Sequence, residues 1–256
     1  MDYASLASGS KGNCHAIRHK DSILLVDAGL SLRQIERRMI LIGWDFSFIK
    51  GMAITHEHND HISALPVLLR NTSWKFLLTP LTKKAVELKL HIIIPDNRWV
   101  PVESGSQLKF DPWTIRAFPL PHDAVDPVAF RFENEDRSLA VITDLGHISQ
   151  AVRQCCDGLE TLVIESNYDE QMLIDGNYTP ELKARILSKV GHLSNEDTAG
   201  LLKTMNTSCL NRVVLAHLSE ENNHVDLARA SAALALSDTR AHICIAEQHN
   251  PVLLSS

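Results

Sequence analysis

The sequence is poor in the marks of an exported, membrane-bound or disulfide-built protein. Its opening stretch, MDYASLASGSKGNCHAIRHKD, contains no apolar segment of the kind a secretory signal needs. Apolar runs stop at five residues or fewer, as at 23–26, far short of the roughly 20 that a membrane-spanning helix requires. Cysteine is scarce: Cys14, Cys155, Cys156, Cys209 and Cys244 make an odd five with one adjacent pair. Adjacent cysteines rarely bridge, so these read as small buried hydrophobes rather than a disulfide framework. The expectation is a reducing cytoplasm and no membrane partner. There is also no surplus of positive charge. With 25 Lys+Arg against 31 Asp+Glu the formal net charge is −6, which argues against coating nucleic acid by bulk electrostatics and leaves room only for a local basic groove. Aromatic residues are few, at three Tyr, four Trp and seven Phe, and form no stacking stripe. No repeat or low-complexity linker interrupts the chain.

What remains is an ordinary globular composition. The 256 residues are 45% hydrophobic and 22% charged, enough to bury a core without a staple. A single domain over 1–256 is expected. Short apolar runs at 23–26, 51–54, 74–78, 139–143, 161–164, 212–216 and 241–246 predict buried strands. Helical spacing predicts helices at 62–69, 81–90, 180–189, 195–205 and 224–236. One more follows an N-cap at Ser31 and carries Leu32, Ile35, Met39 and Ile40. Between about 99 and 141 apolar and polar residues alternate, which predicts antiparallel sheet. The class is α/β.

The unusual number is 13 histidines. Asp27, His56, Asp144, Glu165 and His217 each stand where an apolar strand ends, the place where layered α/β proteins gather chemistry. The densest cluster is His56-Glu57-His58-Asn59-Asp60-His61, between a strand and a helix. Neutral imidazole and carboxylate suit Zn²⁺. In an extended turn side chains alternate, so His56 and His58 point the same way and can share one ion. Asp60 and His61 begin the helix, point elsewhere, and can hold a second.

This motif, with Asp27 before it and His122, Asp144 and His217 after it, resembles the metallo-β-lactamase-fold hydrolase superfamily over nearly the whole chain. The resemblance implies an αββα sandwich of two mixed β-sheets flanked by helices. It also implies His56, His58 and His122 as ligands of a first ion, Asp60, His61 and His217 as ligands of a second, Asp144 as the carboxylate bridging both, and Asp27 as the acid that orients the ligand loop. Two divalent ions, Zn²⁺ or Mn²⁺, would sit about 3.5–4 Å apart and share a bridging hydroxide as nucleophile.

Three further segments narrow the choice: Ser8-Gly9-Ser10-Lys11-Gly12-Asn13-Cys14, the run 191–199 around His192, and the run 215–223 ending in Asn222-Asn223. Together they are similar to the YycJ/WalJ family of bacterial 5′→3′ exonucleases, with the phosphodiesterase PhnP and ribonuclease Z as more distant relatives. That family usually has GSSGNC, and Lys11 departs from it. The 72 residues between Asp144 and His217 leave no room for the large domain that β-CASP nucleases insert there. Ser194 predicts a cap for the helix at 195, which puts His192 on the loop before it. By resemblance His192 contacts the scissile phosphate and protonates the leaving oxygen, a task suited to a group titrating near neutral pH. Its alternative is a loop histidine without a role. The loop at 8–13 either presents backbone N–H groups to an anion or is a plain hairpin turn.

The expected activity is therefore phosphodiester hydrolysis with DNA as substrate. Asp60, Asp144 and His192 would carry turnover, and Ser10, Asn13 and Asn222 would touch the substrate. Two alternatives stand beside it. One is a small-molecule hydrolase acting on a cyclic phosphodiester or a lactone. The other is a non-catalytic, metal-stabilised binding protein.

Overall fold

Apolar runs become strands wherever they were expected, and further strands form where polar residues interrupt the pattern. In chain order these are β1 (Asp2–Ala7), β2 (Cys14–His19), β3 (Ser22–Val26), β4 (Ile49–Ala53), β5 (Lys75–Leu78), β6 (Trp99–Pro101), β7 (Gln107–Phe110), β8 (Trp113–Pro119), β9 (Val128–Glu133), β10 (Ser138–Ile142), β11 (Thr161–Glu165), β12 (Arg212–Ala216), β13 (His242–Ile245) and β14 (Val252–Leu254). They make two mixed sheets of seven strands. The structure is a computed structural model that describes residues 1–135 and 137–255. The chain divides into two compact units. Unit 1 comprises Met1–Ala117, Ala124–Val128 and Glu247–Ser256, and unit 2 comprises Phe118–Asp123 and Ala129–Ala246.

In unit 1 the sheet order is β14-β1-β2-β3-β4-β5-β6. Its first four strands pair antiparallel, and β3 to β6 pair parallel. Strand β6 thus runs parallel to β5, although the alternation from 99 onward predicted antiparallel pairing. Alternation reports which face a residue takes, not the direction of the neighbouring strand. The hairpin β7–β8 is antiparallel, as expected. Strands β1 and β2 escaped the sequence reading because buried Ser5 and His15 break their apolar runs.

The helices of unit 1 are α1 (Leu32–Leu41), α2 (Asn59–Ile62), α3 (Leu65–Asn71) and α4 (Pro80–Leu90). Ser31 caps α1 by accepting the Gln34 N–H, and Thr79 caps α4 by accepting the Thr82 N–H. Ile35 and Met39 of α1, Leu65 and Leu68 of α3 and Val86 of α4 pack with Leu25, Met52, Phe76 and Leu78 of the sheet. Ile40 does not join them and is 75% exposed, because one residue past Met39 turns it about 100° round the helix. The single helix expected at 62–69 is two. Pro66 falls in the first turn of α3, a place where its missing N–H costs nothing, so it starts a helix rather than continuing one.

In unit 2, β10, β11, β12 and β13 pair parallel in that order, and β9 pairs antiparallel with β10. The helices are α5 (Gln150–Cys156), α6 (Glu170–Asp175), α7 (Pro180–Ile186), α8 (Asn195–Thr204) and α9 (Val225–Ala235). Val152, Cys155 and Cys156 of α5, Leu201 and Leu202 of α8, and Ala228 and Ala232 of α9 pack with Ala140, Ile142, Leu162, Ile164, Val213 and Leu215. Residues on the opposite face of these strands, Val141, Val163 and Val214, are fully buried too. Burial on both faces is why the strands read as continuous apolar runs. All five cysteines are free. Cys14, Cys155 and Cys156 are buried as expected, whereas Cys209 is exposed. Among the described residues no helix is long and apolar enough to cross a membrane.

Candidate functional site

Three parallel-paired strands deliver polar side chains through the same backbone device. Asp27 and His217 directly follow β3 and β12, Asp144 stands two residues beyond the end of β10, and all three have left-handed φ, at 66°, 55° and 63° respectively. Non-glycine residues in this region carry about 1–3 kcal/mol of strain each, a cost that persists where the surroundings over-determine the turn. Asp and His tolerate it better than most residues. The turn swings each side chain sharply off its strand.

In unit 1, Asp27 is fully buried. Its Oδ1 accepts the Thr55 N–H at 2.9 Å, and its Oδ2 lies 2.8 Å from His61 Nδ1. The Thr55 hydroxyl lies 3.0 Å from the same carboxylate and 2.9 Å from His56 Nδ1. His58 ends the extended segment as the residue before α2. The His56 and His58 rings are 4.6 Å apart, centroid to centroid, and the His56 and His61 rings 4.2 Å. His61 therefore turns back toward His56 rather than away from it. The short helix α2 is one turn, and one turn returns the chain to the same side. Asp60 Oδ2 lies 3.2 Å from His61 Nε2.

In unit 2, the buried carboxylate is Glu165, the last residue of β11. Its Oε1 lies 2.8 Å from His192 Nδ1 and 2.7 Å from His217 Nδ1. Its Oε2 accepts the N–H groups of Leu145 and Leu193. Asp144 Oδ1 is 3.5 Å from His217 Nδ1 and 4.0 Å from His122 Nε2. His122 Nδ1 lies 3.1 Å from the carbonyl oxygens of Val190 and Gly191. A carbonyl only accepts, so Nδ1 carries the proton and Nε2 keeps the lone pair. His192 stands on the loop before α8, whose cap is Ser194 accepting the Asp197 N–H, as the sequence predicted.

The two buried carboxylates differ electrostatically. Burial raises the Asp27 pKa above its ordinary value, and His61 only partly opposes it. Burial acts on Glu165 in the same sense, but His192 and His217 outweigh it and hold the group down at about 2. Burial disfavours a charged His192, yet Glu165 outweighs that too, and the net shift is upward.

The donor set fits a divalent metal ion. In unit 2, Asp144, Glu165, His192 and His217 offer ligand atoms within 4.8 Å of one another. Histidine Nδ1 atoms are held by Glu165 or by carbonyl groups, the usual way a ligand imidazole has its tautomer and its orientation fixed. Mixed imidazole and carboxylate donors suit Zn²⁺ and Mn²⁺ alike.

The expected substrate contacts are placed unequally. Ser10 is exposed in the turn between β1 and β2. Asn13 is fully buried, with its amide Nδ2 at 3.2 Å from Asp60 Oδ2 and 3.1 Å from His61 Nε2. Asn222 is buried as well, and its carboxamide has no hydrogen-bond partner among the described residues. It crowds Gly176, where an added Cβ would come within 2.3 Å of its Oδ1. Sequence reasoning gave Glu165 no role. Its signal was available, since it ends an apolar strand as Asp144 and His217 follow theirs.

Comparison with known proteins gives a consistent picture. A family model described as the beta-lactamase superfamily domain matches residues 23–218. The chain is 36% identical over 238 residues to Exodeoxyribonuclease YycJ of Bacillus anthracis, covering 93% of this chain and 90% of that one. It is also 36% identical over 228 residues to Exodeoxyribonuclease WalJ of Streptococcus pneumoniae serotype 2, covering 88% and 84%. Among solved structures it resembles the metallo-β-lactamase fold protein YhfI of Bacillus subtilis, with TM-score 0.71, 14% identity and 99% of both chains covered. At that identity the likeness shows the fold, which is the one the sequence predicted.

Proposed function

Because this chain belongs to the beta-lactamase superfamily, and within it to the family of the exodeoxyribonucleases YycJ and WalJ, we propose that it is a metal-dependent phosphodiester hydrolase that degrades DNA from the 5′ end. The observation that carries this reading is the grip of one buried carboxylate, Glu165, on Nδ1 of both His192 and His217. Such a grip turns each Nε2 outward with its chemistry defined. The names of the relatives favour DNA over the small-molecule and scaffold alternatives.

The proposed ligands are His56, His58 and His122 for one ion and Asp60, His61 and His217 for the other, with Asp144 shared between them. Family membership and the carboxylate–histidine contacts inside each unit support this assignment. It treats 1–256 as one domain of the fold and puts the enzyme in the cytoplasm, where DNA is the partner. Zn²⁺ and Mn²⁺ both suit the donors, and when bound they would neutralise charge on the phosphate and activate water. Asp27 fixes His61 by its Nδ1 and Thr55 by its N–H, which keeps the ligand loop in place. His192, held through Nδ1 and with its proton affinity raised by Glu165, can donate from Nε2 to the departing oxygen at neutral pH.

The test uses metal-reconstituted protein and linear duplex DNA with a 5′ phosphate, labelled at either the 5′ or the 3′ end. The expected result is immediate release of the 5′ label as mononucleotide and late release of the 3′ label. A loaded protein that leaves both duplexes intact overturns the reading.

A further inference from the structure

The segment Ser8-Gly9-Ser10-Lys11-Gly12-Asn13 stood out in the sequence, and the proposed reaction does not use it. Its backbone N–H groups are engaged within the molecule. Gly9 N–H goes to Asn13 Oδ1 at 2.9 Å, Lys11 N–H to Gln248 Oε1 at 2.9 Å and Gly12 N–H to the Gly9 carbonyl. Asn13 N–H goes to the Asp60 carbonyl at 2.8 Å. Those four N–H groups are spent inside unit 1, so the loop is the hairpin turn between β1 and β2 rather than an anion cradle.

What the loop does accomplish is the aim of one carboxamide. Gly9 N–H must meet an oxygen, which fixes Oδ1 of Asn13 on that side and turns Nδ2 the other way. There Nδ2 meets Asp60 Oδ2 at 3.2 Å and His61 Nε2 at 3.1 Å. The backbone is bolted from the same side. Gly29 N–H donates to the Asn13 carbonyl, and Ala28 N–H to the His61 carbonyl. The approach is too close for any side chain. A Cβ on Gly12 would lie 2.3 Å from the Gly29 carbonyl oxygen, and one on Gly29 would lie 1.8 Å from that of Asp60. Gly12 also has φ +145°. The glycines therefore bring the backbones together, and Asn13 supplies a side-chain donor directed at the Asp60–His61 pair.

We propose that Asn13 is a positioning residue for the metal ion held by Asp60 and His61, and not a substrate contact. The inference rests on the ligand assignment proposed above. Its amide holds one Asp60 oxygen in place and so sets the affinity of that half of the metal set, while His56 and His58 act without it.

The test titrates Mn²⁺ alone into metal-stripped wild type, Asn13→Ala and Asn13→Ser by calorimetry, with thermal unfolding of each stripped protein alongside. Wild type is expected to bind two ions. The variants are expected to bind one as wild type does and the other about tenfold or more weakly, as loss of a hydrogen bond to a charged group implies. Their kcat on DNA should be low at limiting Mn²⁺ and recover in excess, with KM for DNA within about twofold of wild type on that same footing. Unchanged affinities for both ions in a folded variant overturn the proposal. So does a raised KM for DNA with Mn²⁺ binding intact, which would return Asn13 to the substrate. Failure of both variants to fold would make the loop purely structural and overturn it as well. Wild type binding fewer than two ions would instead refute the underlying ligand assignment.

Discussion

In unit 1 a buried aspartate meets one histidine and one threonine, and in unit 2 a buried glutamate meets two histidines and two backbone N–H groups. Both carboxylates are fully buried, and burial pushes both pKa values up. Yet Asp27 ends above its ordinary value, while Glu165 falls to about 2. The number and charge of the partners decide the outcome. Desolvation of a carboxylate is offset by donors that favour its ionised form, and Glu165 has more of them. Its grip on the histidines is accordingly the firmer of the two.

The largest test of that comparison removes a histidine Glu165 holds but which is not assigned to metal. His192→Ala is expected to lower turnover of DNA by about 10²-fold or more, as loss of a general acid does, with metal content near wild type. Loss of metal in this variant, measured by elemental analysis, would make His192 a ligand and unit 2 a different kind of site. Next come the two carboxylates themselves. Glu165→Gln is expected to cost about 100-fold in metal affinity or turnover and Asp27→Asn about tenfold, the upper and lower ends of what partners of ligand histidines contribute. Equal losses in the two variants would break the comparison.

The smallest effect is the pH dependence of folding in the stripped protein, and the two residues carry opposite signs. Glu165 is depressed from 4.5 to about 2, so its contribution is complete above about 4.5 and is lost as pH falls toward 2. Asp27 is raised above 3.8, so its neutral form is the favoured one. Its contribution is largest below 3.8 and declines as pH rises through the folded pKa. Denaturant unfolding of wild type and the two variants across acid pH should show the stability difference growing with pH for Glu165→Gln and shrinking for Asp27→Asn. Two slopes of one sign would contradict the electrostatic contrast.

Much of this arrangement was legible in the residues. The strands β3, β4, β10, β11 and β12 show as apolar runs because they are buried on both faces. The polar residues at their ends therefore stood out. Other features were hidden for physical reasons. Ser5 and His15 are polar and buried, so β1 and β2 lacked an apolar signature. Glu165 was noticed at its strand end but carries no motif, since a residue that holds two histidines from behind has no spacing of its own. The direction of β6 is a long-range property that three residues cannot encode. Asn13 was expected on the substrate because its loop is rich in small residues, and only the path of the backbone shows its amide turned to Asp60 and His61.

The claim beneath all of this is that the chain hydrolyses DNA through metal held by these carboxylates and histidines. Wild type, Asp60→Ala and Asp144→Ala should be stripped with chelator, refilled with Mn²⁺ or Zn²⁺, and followed on 5′-phosphorylated duplex DNA. The expected result is no nucleotide release by any stripped protein, restored release by wild type alone, and folded but inactive variants. Release that survives chelation, or full activity in either refilled variant, would contradict it.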